Sequence, residues 1–135
     1  MKTASYSLLL IGILLTASQA LAWDNICELG HNALSLTSVQ LPDYYKDNLK
    51  GRLFEGKGFV RNVRQQGINK QYIVAVDCGN DVIVNVFTSA NCKDLNAGTV
   101  VSFDGHCIGF NRWPYTDTKQ PYMIFDLERG SVAVK

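Results

Sequence analysis

From Gly51 onward the chain takes on a period of two, and that alternation constrains its fold more than any other feature. Residues 52–64 carry Phe54, Phe59, Val60 and Val63 in a run broken by Gly56 and Gly58. Residues 82–87 put Val82, Val84 and Val86 on one parity and Ile83, Asn85 and Phe87 on the other, and 72–77, 99–110 and 122–127 are similar apolar runs. Such segments are extended chain with one face toward a core and one face away. They predict five strands. Alternate glycines inside the first run signal a bulge or sharp coil, so that one long strand bends across a curved sheet. Cys78-Gly-Asn-Asp81 reads as a tight turn whose Gly and Asn supply positive φ. Residues 65–70 and 111–121 read as loops, and 89–97 as a short helix or irregular crossing with Leu95 its one large apolar residue. About 80 residues remain from Gly51, enough for one small core.

The segments before Gly51 have other characters. Residues 1–22 have the form of a secretory leader: Lys2, an apolar stretch over 7–17, and Ala20-Leu21-Ala22 as a small-residue cleavage site. That apolar stretch is well short of the roughly 20 residues a membrane span needs. Cleavage after Ala22 and a soluble protein in the periplasm or beyond it are the expectations. Asn25 then stands as N-cap, with Glu28 completing a capping-box-like pair, and Ile26, Leu29, Ala33 and Leu36 form a helical stripe that Gly30 and the polar residues 35–38 weaken. Pro42 suits the first position of a second short helix over 42–48. The expected organisation is a leader over 1–22, a helical segment over 23–50 and a barrel over 51–135.

All four cysteines, Cys27, Cys78, Cys92 and Cys107, lie after the leader. An even count in an oxidising compartment predicts two disulfides. Four cysteines allow three pairings, and the spacing disfavours only Cys78 with Cys92, because the strand between them would hold them roughly 25 Å apart. A metal site using His31 and His106 has no local Cys-x-x-Cys or His-x-x-x-His pair to start from, so no metal and no cofactor are expected.

Five strands with a crossing between the third and fourth resemble the OB-fold, a five-stranded Greek-key barrel. The stretches Gly51-Arg-Leu-Phe-Glu-Gly-Lys-Gly-Phe-Val-Arg-Asn-Val63, Tyr72-Ile-Val-Ala-Val-Asp-Cys-Gly79 and Leu95-Asn-Ala-Gly-Thr-Val-Val-Ser-Phe-Asp-Gly-His-Cys-Ile-Gly-Phe110 resemble the tRNA-anti-like group of small exported OB-fold proteins. The resemblance implies a mainly β barrel behind a short N-terminal helix. It implies little about activity, because one fold hosts many functions.

OB-folds bind along the face of their second and third strands, between the first and fourth loops. Here those loops are 65–70 and 111–121, and the second contains Arg112, Trp113 and Tyr115, a guanidinium beside two π faces. Residues 46–70 hold seven basic residues against Asp47 and Glu55, and Lys57, Arg61 and Arg64 run along one strand beside the first loop. The candidate site is therefore Lys57, Arg61, Arg64, Arg112, Trp113 and Tyr115, suited to a small or local anion or a protein partner. Without Lys2 the chain has twelve basic and twelve acidic residues, a balance that argues against bulk binding of nucleic acid. His106 shares a face with Asp104, but Cys107 points the other way and no nucleophile stands beside a base, so no catalytic residue is expected. The alternatives are a secreted inhibitor or virulence-associated protein, faintly similar over 72–87 to the eight-stranded lysozyme inhibitors, and a structural component of an envelope assembly.

Overall fold

The computed structural model describes residues 23–68, 71–114 and 121–135, so residues 1–22, read above as a leader, and Tyr115 lie outside the described residues. Its elements in chain order are β1 (Asp24–Asn25), α1 (Ile26–Ala33), α2 (Gln40–Asn48), β2 (Leu53–Gln66), β3 (Gln71–Gly79), β4 (Val82–Thr88), β5 (Val100–Pro114) and β6 (Pro121–Val134). The sheet order β1-β2-β3-β4-β6-β5 closes through a further β2–β5 pairing. Five strands thus form a closed OB-fold-like barrel, with β1 added in parallel beside Phe54 and Glu55. All pairs in the barrel are antiparallel except β4 with β6.

The period-two reading is borne out. Val82, Val84 and Val86 are fully buried, with Val74 and Val76 from β3 and Met123, Phe125 and Leu127 from β6. Burying a side chain of this kind is worth about 1.5–3 kcal/mol. Strand β2 does bend: its first half pairs with β5 from Leu53 to Phe59, its second half with β3 from Phe59 to Gln66, and the register slips between Val60 and Asn62. Gly58 lies where a Cβ would run into the carbonyl oxygen of Asp77, so the close crossing of two backbones requires glycine. The β3–β4 turn has positive φ at Gly79, Asn80 and Asp81.

Asn25 caps α1 as expected, its Oδ1 accepting from the backbone N–H of Cys27 and Glu28. The second helix begins earlier than Pro42 predicts. Thr37 Oγ1 accepts from the Gln40 N–H and Gln40 Oε1 from the Thr37 N–H, a reciprocal capping box, and Pro42 is the third residue of α2 rather than its first. Residues 89–97 take the irregular of the two forms expected, and the barrel is plugged by α1, whose Ile26 and Ala33 are buried. At Gly30 an added Cβ would stand 2.6 Å from the Phe125 ring, so the glycine that weakens the stripe lets the helix seat against β6.

Two further expectations are corrected. The ladder between β5 and β6 continues through Asn111↔Ile124, Arg112↔Met123 and Trp113↔Tyr122 to Pro114↔Pro121, so both ends of the predicted 111–121 loop are strand. One disulfide forms, Cys27–Cys78 with a Cα separation of 5.7 Å, tying α1 to the end of β3. Cys92 and Cys107 are free thiols. Cys92 lies beside Val132 and Val134, which pair with Phe103 and Val101, whereas Cys107 is four to six residues further along β5. That is about 13–20 Å of strand, beyond the reach of a second bridge. Cys107 is enclosed in the core, and burial pushes its thiol up to about 11.

Candidate ligand-binding face

Because alternate residues of β2, β3, β4 and β6 fill the barrel, their neighbours face outward together. The register aligns Asn62 with Ala75, Ala75 with Asn85 and Asn85 with Asp126, and beside this row it aligns Asp77 with Ile83 and Ile83 with Ile124. Arg61 is the extra residue of the β2 bulge, and Arg64 follows on the same outer side. The result is a cleft of about 210 Å³ that gathers Arg61, Asn62 and Arg64 with Asn85 and Tyr122 over a floor of Ala75, Ile83 and Ile124. It lies on the outer face of β2, β3, β4 and β6, a barrel face of the kind along which OB-folds hold ligands.

The guanidinium of Arg61 is only lightly engaged. Arg61 Nη1 lies 4.0 Å from Asp77 Oδ2, with the two side chains 49% and 26% exposed, a weak pairing that leaves most of the guanidinium fork open. Asn85 Nδ2 donates to Asp126 Oδ1 at 3.1 Å, which fixes the amide's orientation. Trp113 is 51% exposed and stands directly across from Tyr122, so two aromatic side chains share one side of the β5–β6 hairpin next to the cleft.

Of the residues expected from sequence, Arg61 and Arg64 come together here and Trp113 flanks them. Arg112 does not join them. It has the opposite parity to Trp113 and faces the helices, where Nη1 donates to the Leu36 carbonyl and Nη2 to Ser38 Oγ at 3.1 Å, bracing the α1–α2 connection. Lys57 is also on the outer side of β2 but before the bend, in a different cleft. Asn62, Asn85 and Tyr122 were not foreseen. Parity alone placed Asn85 opposite the buried valines; only the strand register brings it to the arginines.

The second cleft, about 460 Å³, lies on the outer face of β2, β5 and β6, and its lining includes Asn25, Glu55, Lys57, Ser102, Asp104, Ser131 and Lys135. Asp104 Oδ2 accepts from Ser131 Oγ at 2.8 Å. His106 lies on this same face of β5 with its Nδ1 buried and unpartnered among the described residues, and Cys107 turns inward. His31 Nδ1 meets the Asn80 carbonyl at 3.2 Å, joining α1 to the β3–β4 turn. Among the described residues no group of three or more His, Cys, Asp or Glu is placed to hold a metal, and no helix is long and apolar enough to cross a membrane.

The sequence matches no protein-family model, and no curated protein matches it.

Proposed function

We propose that the protein is an exported, disulfide-braced binding module that holds a small anionic ligand with a flat face on the outer surface of β2, β3, β4 and β6. The observation that carries this reading is the meeting of Arg61 and Arg64 in one cleft with the Asn62 and Asn85 amides and Tyr122. Guanidinium groups suit carboxylate or phosphate oxygens, each charged hydrogen bond contributing about 1.5–3 kcal/mol, while Tyr122 and Trp113 offer surfaces on which a ring stacks. Binding rather than catalysis fits a cleft whose polar groups are guanidinium, amide and phenol. The leader-like residues 1–22 and the Cys27–Cys78 bridge support export to the periplasm or beyond. The rival with lysozyme inhibitors draws on an eight-stranded architecture, whereas this barrel closes with five.

Phenyl phosphate, an anion on a flat ring, is a suitable probe. Titration followed by amide NMR should move the signals of Arg61, Arg64, Asn85 and Tyr122, weaken as salt rises, and lose at least about tenfold in affinity in the Arg61→Gln/Arg64→Gln variant. Shifts confined to other faces, or equal affinity in that variant, would refute the proposal.

A further inference from the structure

The larger cleft has a charge arrangement of its own. The outward residues of β2, β5 and β6 form successive rows: Glu55 faces Asp104, which faces Ser131; Lys57 faces Ser102, which faces Ala133; and Phe59 faces Val100, whose carbonyl accepts from the Lys135 N–H. Directly opposed residues in an antiparallel pair have Cβ atoms about 4.5–5.5 Å apart. Two carboxylates, Glu55 and Asp104, are therefore set against each other, an arrangement that disfavours the empty sheet. Glu55, Lys57 and Lys135 enter no ion pair among the described residues. The cleft thus has a carboxylate row with the Ser131 hydroxyl at one end, and the Lys57 and Lys135 ammonium groups with the Ser102 hydroxyl at the other.

Rows on one face of a strand repeat every two residues, about 6.6–6.8 Å. Two extended residues span at most about 7 Å. We infer that this cleft binds a dipeptide-length zwitterion, its ammonium group held between Glu55 and Asp104 and its carboxylate by Lys57, Lys135 and Ser102. The ligand's positive end relieves the repulsion between the two carboxylates, which supplies a reason for their opposition. A cleft of about 460 Å³ is roomy enough for such a molecule and its side chains. The site lies before the bend of β2 and the arginine cleft beyond it, so the two bind independently.

L-Alanyl-L-alanine is the probe, titrated calorimetrically into the protein with its disulfide intact. Binding in the millimolar range or tighter is expected, weakened at least about tenfold by acetylating the amino end or amidating the carboxyl end. Glu55→Gln/Asp104→Asn should lose about tenfold in affinity yet melt no lower than the parent, because it removes a like-charge pair. Lys57→Gln should weaken binding similarly, and Arg61→Gln/Arg64→Gln should leave it unchanged. No saturable binding, equal affinity for the capped peptides, or loss on removing the arginines instead would overturn the inference.

Discussion

The plugged end of the barrel and its outer face are built on opposite terms. At the plugged end α1 is held by a side-chain cap, a disulfide and close packing, with Gly30 against Phe125 and Val82 and Gly56 against Phe103 and the Cys27 sulfur, so that even one extra carbon has no room. On the face of β2, β3, β4 and β6, the arginines and Trp113 are partly exposed and lightly paired. Stability is concentrated where neighbours crowd, and the proposed recognition where polar and aromatic groups are left facing solvent. Arg112 and Trp113 show the division within one dipeptide: the first braces the helices and the second flanks the cleft.

Mutations can break that contrast from its strong side. Cys27→Ala/Cys78→Ala should cost about 2–5 kcal/mol in urea unfolding, because the bridge closes a loop across a sequence separation of 51 in a small domain. A loss below about 1 kcal/mol would mean that packing alone holds α1. Gly30→Ala sharpens the comparison through its sign. In an open helix the change stabilises by about 1 kcal/mol, but here the new carbon meets Phe125 and Val82, and a net loss of about 1–2 kcal/mol is expected. A gain would place α1 looser than drawn. The core thiol gives a third test. Burial raises Cys107 from 9.0 to about 11, so the folded state keeps its proton where the unfolded chain has lost it. Its contribution is intact below pH 9 and is lost as pH rises toward 11, up to about 2 kcal/mol. Cys107→Ala should flatten that alkaline fall in stability, and an unchanged fall would assign it to other groups.

The sequence was most readable where local chemistry and fold agree. Alternating valines in β4, the Asn25 cap and the turn at Cys78-Gly-Asn-Asp81 each follow from neighbours a few residues apart, and the order of strands led to the barrel. What escaped depends on distant partners. Gly30 looks like a flaw in a helix until Phe125 is placed against it. Strand β6 continues to Val134 past Arg129, whose φ of +49° breaks the pattern, because Gly130 lets the strand pass close to Val86 and the Asp104 carbonyl. Pro114 and Pro121 read as loop residues, yet they face each other at the end of a ladder. The capping box at Thr37 and Gln40 was legible and was masked by the more familiar signal of Pro42. Among the candidate residues, Arg61 and Arg64 follow from charge and parity. Asn62, Asn85 and Tyr122 follow only from register, as does the exclusion of Lys57 from their cleft.

The smallest expected change in stability carries the most weight for function. Trp113 stands half-exposed on the outer side of the β5–β6 hairpin, so Trp113→Ala should alter unfolding by no more than about 0.5 kcal/mol. Its melting temperature and its affinity for phenyl phosphate, measured on the same sample, test directly whether this face is for recognition. Weakened binding with an unchanged melting temperature is the predicted result. A melting temperature lowered by several degrees with affinity unchanged would make Trp113 a packing residue and contradict the assignment of this face.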